Sequence, residues 1–248
     1  MQDQGVLVAG GAGGLGKATV RMMLARGARL AVIDRGDELL RRLADDLARD
    51  GHTITGIAGD ITARAEAERL FDAAVAALGS VNAMVNCVGA YPRVPILDIS
   101  DADWQVSCTV NIVATYNLMA AAVAHMRGLE PEAAVRGRIV NISSVDAFKA
   151  HPQNAHYAAT KAAVVSLTRS FAMEFAPAQI LINSVAPAGI ATARAKAAGF
   201  MPELVAANPL GRAAEPEDIA EMIVFLASRA NRYVTGENVI VSGGYIMA

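Results

Sequence analysis

The chain has 248 residues, 54% of them hydrophobic and 19% charged, and its 22 basic and 24 acidic side chains leave a formal net charge of −2. This composition excludes an intrinsically disordered chain, because disorder goes with low hydrophobicity and high net charge. The near-neutral balance also argues against nucleic acid or an anionic membrane surface as the main partner. The length and the apolar content predict a compact, soluble chain with a substantial core, built as one large domain or two small ones.

No membrane-spanning or exported segment is predicted. A spanning helix needs about 20 consecutive apolar residues, and the most apolar stretch, between residues 110 and 126, is interrupted by Asn111, Asn117 and His125. The amino terminus has no basic region followed by an apolar run, so no secretory signal is visible. We therefore expect a cytoplasmic protein.

Metal and disulfide chemistry are not expected either. Cys87 and Cys108 are the only cysteines and lack CxxC spacing; two free thiols are expected, although a single disulfide stays open. The four histidines have none of the spacings typical of metal ligands, such as HExxH. No catalytic metal site is predicted.

Short aliphatic runs alternate with longer stretches rich in Ala, Leu and Arg along the whole chain. The predicted strands are Val6–Ala9, Arg29–Ile33, Thr53–Ala58, Ala83–Asn86, Arg138–Ile142, Ile180–Val185 and Asn238–Val241. The predicted helices are Gly14–Arg26, Asp37–Asp50, Ala63–Leu78, Asp101–Met126, Ala155–Phe175 and Pro216–Ser228. The strands read as apolar on both faces, which is typical of parallel strands covered by helices. This alternation predicts an α/β class protein with one doubly wound domain over residues 1–248, a seven-stranded parallel sheet with helices on both faces.

A glycine-rich turn joins the first strand to the first helix. Gly11, Gly13 and Gly16 satisfy GxGxxG, in which glycines allow a tight turn and close approach of the backbone to a phosphate. The helix that follows offers free N–H groups and a partial positive charge to an anion. Residues 11–17 also fit GxxxxGK, the start of a nucleoside-triphosphate loop. That motif needs Ser or Thr next to hold Mg²⁺, and this chain has Ala18.

Asp34 makes the glycine turn informative. It ends the second strand, about 20 residues beyond the turn, where a dinucleotide fold places an acid on the adenosine ribose. A carboxylate there accepts hydrogen bonds from the ribose diol and repels a 2′-phosphate, which favours NAD over NADP. Arg35 follows directly and could stack on adenine or reach a phosphate, so the preference is a moderate one.

Tyr157 and Lys161 lie four residues apart, on one face of a predicted helix. A phenol with a pKa near 10 is a poor base at neutral pH, and a nearby cation stabilises the phenolate. By itself this pair also fits an ordinary solvated helix face. The predicted strand that ends in Ser143 and Ser144 adds the context, since ligand sites of α/β folds lie at the carboxyl ends of strands.

With these motifs in order, the sequence resembles the short-chain dehydrogenase/reductase family over nearly its whole length. The family's glycine motif is matched by residues 9–16, its fourth-strand motif by residues 86–89, and its segment at the nicotinamide carboxamide by residues 183–192. The resemblance implies a Rossmann fold and the following cofactor-binding residues: Gly10, Gly13, Gly14, Leu15, Gly16, Asp34, Arg35, Asp60, Ile61, Asn86, Val88, Gly89, Tyr157, Lys161, Pro187, Gly189, Ile190 and Thr192.

The same resemblance implies catalytic roles for four residues. Tyr157 would be the general acid/base of hydride exchange between a nicotinamide and a secondary alcohol or ketone. Ser144, chosen over Ser143 by its thirteen-residue distance from the tyrosine, would hold the substrate oxygen. Lys161 would bind the nicotinamide ribose and lower the pKa of Tyr157, and Asn111 would position a water that links Lys161 to solvent.

The substrate region is expected in a lid at about residues 190–212, of which residues 193–202 are small and apolar with two cations. Walls after the fourth and fifth strands would complete the pocket. Together these segments suggest a mostly apolar substrate, and ordinary loop packing explains the same residues equally well. The candidate substrate contacts are Tyr91, Ser144, Asp146, Phe148 and Met201.

Three functions follow from this reading. The leading one is an NAD(H)-dependent alcohol dehydrogenase or ketoreductase. The second is a 3-oxoacyl-[acyl-carrier-protein] reductase, for which Arg127, Arg136 and Arg138 could form a basic docking patch. The third, a nucleotide-binding regulator without turnover, conflicts with the intact Ser, Tyr and Lys set. The apolar helices 101–126 and 155–175 need a second covering surface, and the resemblance implies a homotetramer or homodimer.

Overall fold

The computed structural model describes residues 1–150 and 152–247 and contains a single seven-stranded sheet whose strands are all parallel. The strand order is β3-β2-β1-β4-β5-β6-β7. The strands are β1 Gly5–Ala9, β2 Arg29–Asp34, β3 Thr55–Ala58, β4 Ala83–Asn86, β5 Gly137–Ile142, β6 Ile180–Pro187 and β7 Asn238–Val241. The predicted α/β class and parallel sheet are confirmed. Because the order reverses between β1 and β4, a crevice opens at their carboxyl ends, where ligands of such sheets bind.

Helices cover both faces of the sheet. The helices are α1 Gly14–Ala25, α2 Asp37–Arg49, α3 Arg64–Leu78, α4 Asp101–Cys108, α5 Ala114–Met126, α6 Ala155–Phe175, α7 Ala193–Ala197, α8 Met201–Ala206 and α9 Pro216–Ala227. Successive strand residues point to opposite faces, so Leu7 packs into the core beneath α3, α5 and α6 while Val6 and Val8 pack against α1, α2 and α9. Each face therefore has its own continuous apolar core.

The two edge strands depart from the expectation that every strand is buried on both faces. In β3, half-buried and exposed residues alternate, and β7 is half-buried throughout. The predicted strand Thr53–Ala58 accordingly begins two residues later, at Thr55. An edge strand has only one paired neighbour and less cover, whereas β1, between two strands, is fully buried.

The predicted helix 101–126 is interrupted by a π-helical turn at Thr109–Val113. By length and composition this segment could cross a membrane, yet half of its most apolar window is buried inside the protein. Leu118, Met119 and Met126 are fully buried in the core shared with α3, as in the core helix of a globular domain. The π turn carries Asn111, and such turns are frequent at functional sites.

Candidate active site

A cavity of about 900 Å³ lies at the carboxyl ends of the central strands. Its floor is the turn between β1 and α1, and its walls follow β4, β5 and β6, with α7 and α8 above. This volume lies at the upper end of the range for ligand pockets. Nucleotide-site residues predicted from the sequence that line it are Gly10, Gly13, Gly14, Leu15, Gly16, Val88, Gly89, Pro187, Gly189, Ile190 and Thr192.

The glycine turn has no room for side chains at two positions. Gly10 has a φ of +72°, and a Cβ there would lie 2.9 Å from the backbone of Cys87. A Cβ on Gly16 would lie 2.2 Å from the carbonyl oxygen of Gly10. A Cβ at Gly13 would meet only that same oxygen, at 3.4 Å. The turn is therefore tight where it packs and open where it faces the cavity.

The first turn of α1 offers backbone donors to a ligand. Within the described part of the chain, the N–H groups of Gly14, Leu15 and Gly16 have no acceptor, while that of Lys17 donates to the Gly13 carbonyl. The first turn carries no acidic residue. Free N–H groups and the helix dipole bind anions, so the residues present fit the diphosphate of a dinucleotide.

Asp34 lies where β2 ends, beside the glycine turn. Its carboxylate accepts hydrogen bonds from the N–H of Ala12 at 3.2 Å and from the N–H of Arg35 at 2.8 Å. Arg35 in turn lies 3.9 Å from Asp60, and both side chains are exposed. Asp60 also accepts from the N–H of Thr62. The sequence-predicted adenosine residues thus gather at the ends of β2 and β3, beyond the enclosed part of the cavity.

The segment after β4 lies between the glycine turn and α6. Asn86 is buried, donates to Thr115 and accepts from the N–H of Val88. Burial raises the pKa of Cys87 to about 12, so this thiol stays neutral and acts as a small core residue. A Cβ on Gly89 would lie 3.4 Å from both Asn111 Oδ1 and Lys161 Nζ. Val88 and Gly89 therefore present backbone to the cavity.

Ser144 rather than Ser143 faces Tyr157. The Ser143 hydroxyl donates to the carbonyl of Val185 and bonds to Asn238. The Ser144 hydroxyl accepts from the N–H of Asp146 at 3.1 Å and is hydrogen-bonded to Tyr157. The thirteen-residue spacing thus selected the serine that the fold brings to the phenol.

The pKa of Tyr157 is raised well above its usual value. Burial is the main cause, Asp146 and Tyr91 add to it, and the hydrogen bond from Ser144 opposes it. Lys161 lies 5.8 Å from the ring centroid and does not contribute to this shift. The expectation that Lys161 lowers the pKa of Tyr157 is therefore not met in the cofactor-free protein, because the cost of desolvating the phenolate dominates.

Lys161 is itself buried beside the end of β5. Its ammonium donates to the carbonyl of Ile142 at 2.8 Å, and no acid pairs with it among the described residues. Burial lowers its pKa to about 8. A cation held this way is ready to share its remaining protons with hydroxyl groups in the cavity.

Asn111 fastens the loop after β4 to the π turn. Its amide accepts from the N–H of Ala90 at 2.8 Å and donates to the carbonyl of Ala90 and to Thr160, both at 2.9 Å. Thr160 precedes Lys161 on α6. Asn111 therefore aligns the loop and the helix, a role that the sequence motif did not reveal.

The segment after β6 lines the end of the cavity where the nicotinamide is expected to bind. Thr192 caps α7 by accepting from the N–H of Ala195. A Cβ on Gly189 would lie 2.0 Å from Leu204 of α8, so the lid packs directly on this glycine. The lid, expected only as a segment at 190–212, contains two short helices.

The substrate residues predicted from the sequence are only partly brought together. Tyr91, Ser144 and Asp146 line the cavity. Phe148 and Met201 are not among the described residues that line it, and Phe148 is 48% exposed. Lining residues that sequence reasoning missed are Arg93, Arg194, Phe200, Leu204 and Tyr245. The sequence contains a signal for Arg194, which is one of the two cations in residues 193–202 of the lid.

Comparison of the sequence with known proteins finds one matching family model and related enzymes. A family model described as enoyl-(acyl carrier protein) reductase matches residues 10–246. The (5R,7aS)-5-hydroxy-7a-methyl-1-oxo-2,3,5,6,7,7a-hexahydro-1H-indene-carboxyl-CoA reductase of Mycobacterium tuberculosis is 35% identical, over 96% of this chain and 91% of that protein. The cis-4-hydroxycyclohexanecarboxylate dehydrogenase of Sinomonas cyclohexanicum is 34% identical, over 96% of this chain and 95% of that protein.

Solved structures of related proteins share the fold of this chain. A short-chain type dehydrogenase/reductase from Mycobacterium ulcerans superposes with a TM-score of 0.90 and 30% identity, covering 99% of this chain and 90% of that one. ElxO with NADP bound has a TM-score of 0.90 and 28% identity, covering 99% of both chains.

Proposed function

The chain belongs to the short-chain dehydrogenase/reductase family, and we propose that it is an NAD(H)-dependent oxidoreductase that interconverts a secondary alcohol and a ketone. The observation that carries the proposal is the pairing of buried Ser144 with half-buried Tyr157, beside buried Lys161 and in the same cavity as the glycine turn. A phenol beside a hydroxyl next to a dinucleotide-binding turn serves proton transfer at a carbonyl oxygen.

When bound, a nicotinamide dinucleotide supplies or accepts the hydride. The protein's own residues handle the proton and the substrate oxygen. Tyr157, whose pKa is raised by burial, holds its proton at neutral pH and donates it to the oxygen of a ketone. Ser144 orients that oxygen through its hydroxyl, and Lys161 holds the ribose. In alcohol oxidation Tyr157 must first lose its proton, and the path we propose runs through Lys161 to the region of Asn111.

We propose a cyclic secondary alcohol as the substrate, on the support of two relatives and of the cavity lining. The two relatives described above act, by name, on hydroxylated carbon rings. In this protein the aromatic side chains of Tyr91 and Phe200 line the cavity, where they would pack against such a ring. A screen of cyclic and acyclic secondary alcohols with NAD⁺, followed at the NADH absorbance, tests the proposal. We expect turnover of cyclic substrates; no oxidation of any alcohol, and no reduction of the matching ketones with NADH or NADPH, would refute it.

NAD rather than NADP is the cofactor that Asp34 supports. Its carboxylate stands at the end of β2 with Asp60 nearby at the end of β3. An adenosine ribose held by Asp34 would place a 2′-phosphate beside its carboxylate, which would repel it, and Arg35, already 3.9 Å from Asp60, would offset this only in part. The NADP bound to ElxO shows that this fold also accepts the phosphorylated cofactor, so a direct comparison is needed.

Replacing Asp34 by alanine is expected to weaken NADH binding about 10- to 100-fold, because charge-assisted hydrogen bonds to the ribose are lost. NADPH binding should improve, since the repulsion goes with the carboxylate. Titrations of NADH fluorescence and NADPH fluorescence measure both constants. Asp37→Ala, which removes an exposed acid paired with Arg41, is the control and should change neither. Tighter binding of NADPH than of NADH by the unmodified protein would contradict the proposal.

The three arginines expected to form a docking patch give little support to the carrier-protein reductase alternative. Arg138 is 3% exposed and donates to the carbonyl of Asn231, and Arg136 donates to the carbonyl of Leu129. All three arginines of that patch lie near the amino end of β5, opposite the cavity. The family model's description keeps an acyl substrate in view, and the screen should include a 3-oxoacyl thioester.

We also propose that the chain acts in the cytoplasm as a homodimer or homotetramer. Both cysteines are free thiols, as a reducing compartment requires. The apolar face to be covered lies on α4, the π turn, α5 and α6. It exposes Trp104, Val106, Val113, Tyr116 and Met173.

Met173 lies on α6 and is 80% exposed. The substitution Met173→Asp is expected to weaken self-association at least about 10-fold, because it would bury an unpaired charge in the interface. Light scattering across a micromolar concentration series measures this change in mass. Leu39→Asp, a matched change on α2 away from that face, should leave the mass unchanged. A monomeric mass for the unmodified protein at micromolar concentration would contradict the proposal.

A further inference from the structure

Three cations at or next to the cavity each stack on an aromatic ring that lines it. The separations from cation to ring centroid are 4.1 Å for Arg93 over Phe200, 3.8 Å for Lys149 over Tyr245 and 4.5 Å for Arg194 over Tyr91. Such stacking fixes the position of a charged group that solvent would otherwise leave mobile. The entrance to the substrate region therefore presents positive charge in defined places.

Arg194 differs from Arg93 in having no acid beside it. Arg93 lies 3.5 Å from Glu203 and is neutralised there. Arg194 lines the cavity and makes no ion pair with any acid in the described residues. A guanidinium presents a planar fork of donors that matches a carboxylate. Among the described residues the guanidinium contacts the ring of Tyr91, and this stacking leaves the fork of donors for a ligand.

The stack connects Arg194 to the reacting centre. The ring of Tyr91 meets the ring of Tyr157 edge-on, with 6.3 Å between centroids. Arg194 stands over the same Tyr91 ring, so a single aromatic ring lies between the guanidinium and the catalytic phenol. A substrate whose oxygen touches Tyr157 and whose carbon ring lies along Tyr91 can place a second group at Arg194.

The charge of Asp146 favours the same orientation. Asp146 follows Ser144 closely and raises the pKa of Tyr157, so its negative charge acts near the phenol. An anionic substrate group on that side would be repelled. A substrate anion is therefore disfavoured beside Asp146 and favoured beside Arg194, whose guanidinium lines the same cavity without a paired acid among the described residues.

We propose that Arg194 binds an anionic group of the substrate, a carboxylate or a phosphate, on the far side of the carbon ring from the reacting oxygen. This inference rests on the proposed function and names its substrate class, a hydroxylated or oxo-substituted ring that carries an acid. Arg194 is the specificity-determining residue, and Tyr91 holds it in place by stacking.

Matched substrates test the assignment. The probes are a hydroxycyclohexanecarboxylate, its methyl ester and its coenzyme A thioester, oxidised by the unmodified protein, Arg194→Ala and Arg194→Lys. We expect Arg194→Ala to lower kcat/KM for the acid about 10- to 100-fold, mainly through KM, because a charge-assisted hydrogen bond is lost. The ester should be unaffected, and Arg194→Lys should restore part of the loss. A loss confined to the thioester assigns the anion to its phosphates.

Lys196→Ala is the control, since this cation lies two residues along α7 and faces Glu215 at 3.5 Å. It should change none of these values. Equal losses for acid and ester in Arg194→Ala, or a weaker Kd for NADH in that variant, would overturn the assignment, the latter by placing Arg194 on the cofactor.

A binding measurement separates this inference from the proposed function. Cyclohexanecarboxylate should raise the Tm of the NADH-loaded protein more than the neutral cyclohexanecarboxamide does, and Arg194→Ala should abolish the difference. This result needs no turnover, so it supports the anion site even if no alcohol is oxidised. Equal shifts by the acid and the amide would overturn the anion site even if alcohols are oxidised.

Discussion

Replacing Tyr157 by phenylalanine is expected to lower kcat/KM in both directions by about 10²- to 10⁴-fold, the usual contribution of positioned proton transfer. The phenol is the group that meets Ser144 in the cavity, and phenylalanine keeps the ring that packs against Tyr91. Nucleotide affinity and Tm should therefore stay close to those of the unmodified protein. Steady-state rates with NAD⁺ and with NADH, together with a fluorescence titration, measure these quantities.

The pH profile gives the same prediction a second readout. Because burial raises the pKa of Tyr157, oxidation of an alcohol by the unmodified protein should speed up as pH rises, while reduction of a ketone should need no deprotonation at neutral pH. The residual rate of Tyr157→Phe should lose the part of this slope that Tyr157 causes. Undiminished activity in the variant would remove Tyr157 from the mechanism.

Replacing Lys161 by methionine is expected to move activity and stability in opposite directions. Activity should fall at least about 100-fold, because the proposed contact to the ribose and the route for the proton are lost. The cofactor-free protein at pH 7 should become more stable. Burial lowers the pKa of Lys161 from 10.5 to about 8, which corresponds to a destabilisation of roughly 3 kcal/mol while the group is charged. Losing the bond to Ile142 offsets about 1 to 2 kcal/mol of the gain.

The sign of this effect depends on pH. Below pH 8 the ammonium is charged in both the folded and unfolded states, so the full cost of burying it is present. Between about pH 8 and 10.5 the folded protein releases the proton first, and the stability of the unmodified protein rises toward that of the variant. Urea denaturation from pH 7 to pH 10 measures the closing gap. Lys196→Met, which removes an exposed lysine, is the control, and a variant less stable than the parent at pH 7 would contradict the argument.

The parts of the site that depend on local spacing could be predicted from the sequence. Tyr157 and Lys161 share a helix face because they lie four residues apart on α6. The glycine turn and Asp34 follow from where β1 and β2 end. The order of motifs likewise predicts the parallel sheet, since each strand–helix unit returns with the same hand.

The failures share a different cause. Position in the chain suggests Phe148 and Met201 as pocket residues, whereas the cavity lining does not include them. Arg138 reads as a surface cation and is buried, because Asn231, far along the chain, supplies its acceptor. The π turn that carries Asn111 has no signal in a helical periodicity.

The sequence by itself therefore determined the family, the fold, the position of the glycine turn and the placement of Tyr157 and Lys161 on one helix. The tertiary structure alone decided their electrostatics and the shape of the substrate region: the raised pKa of Tyr157, the lowered pKa of Lys161 and the stack of Arg194 on Tyr91. The physical reason is the distance along the chain over which each effect acts. Periodicity and turn chemistry act over a few residues, whereas desolvation and cation–ring contacts are set by whichever distant segments the fold packs together.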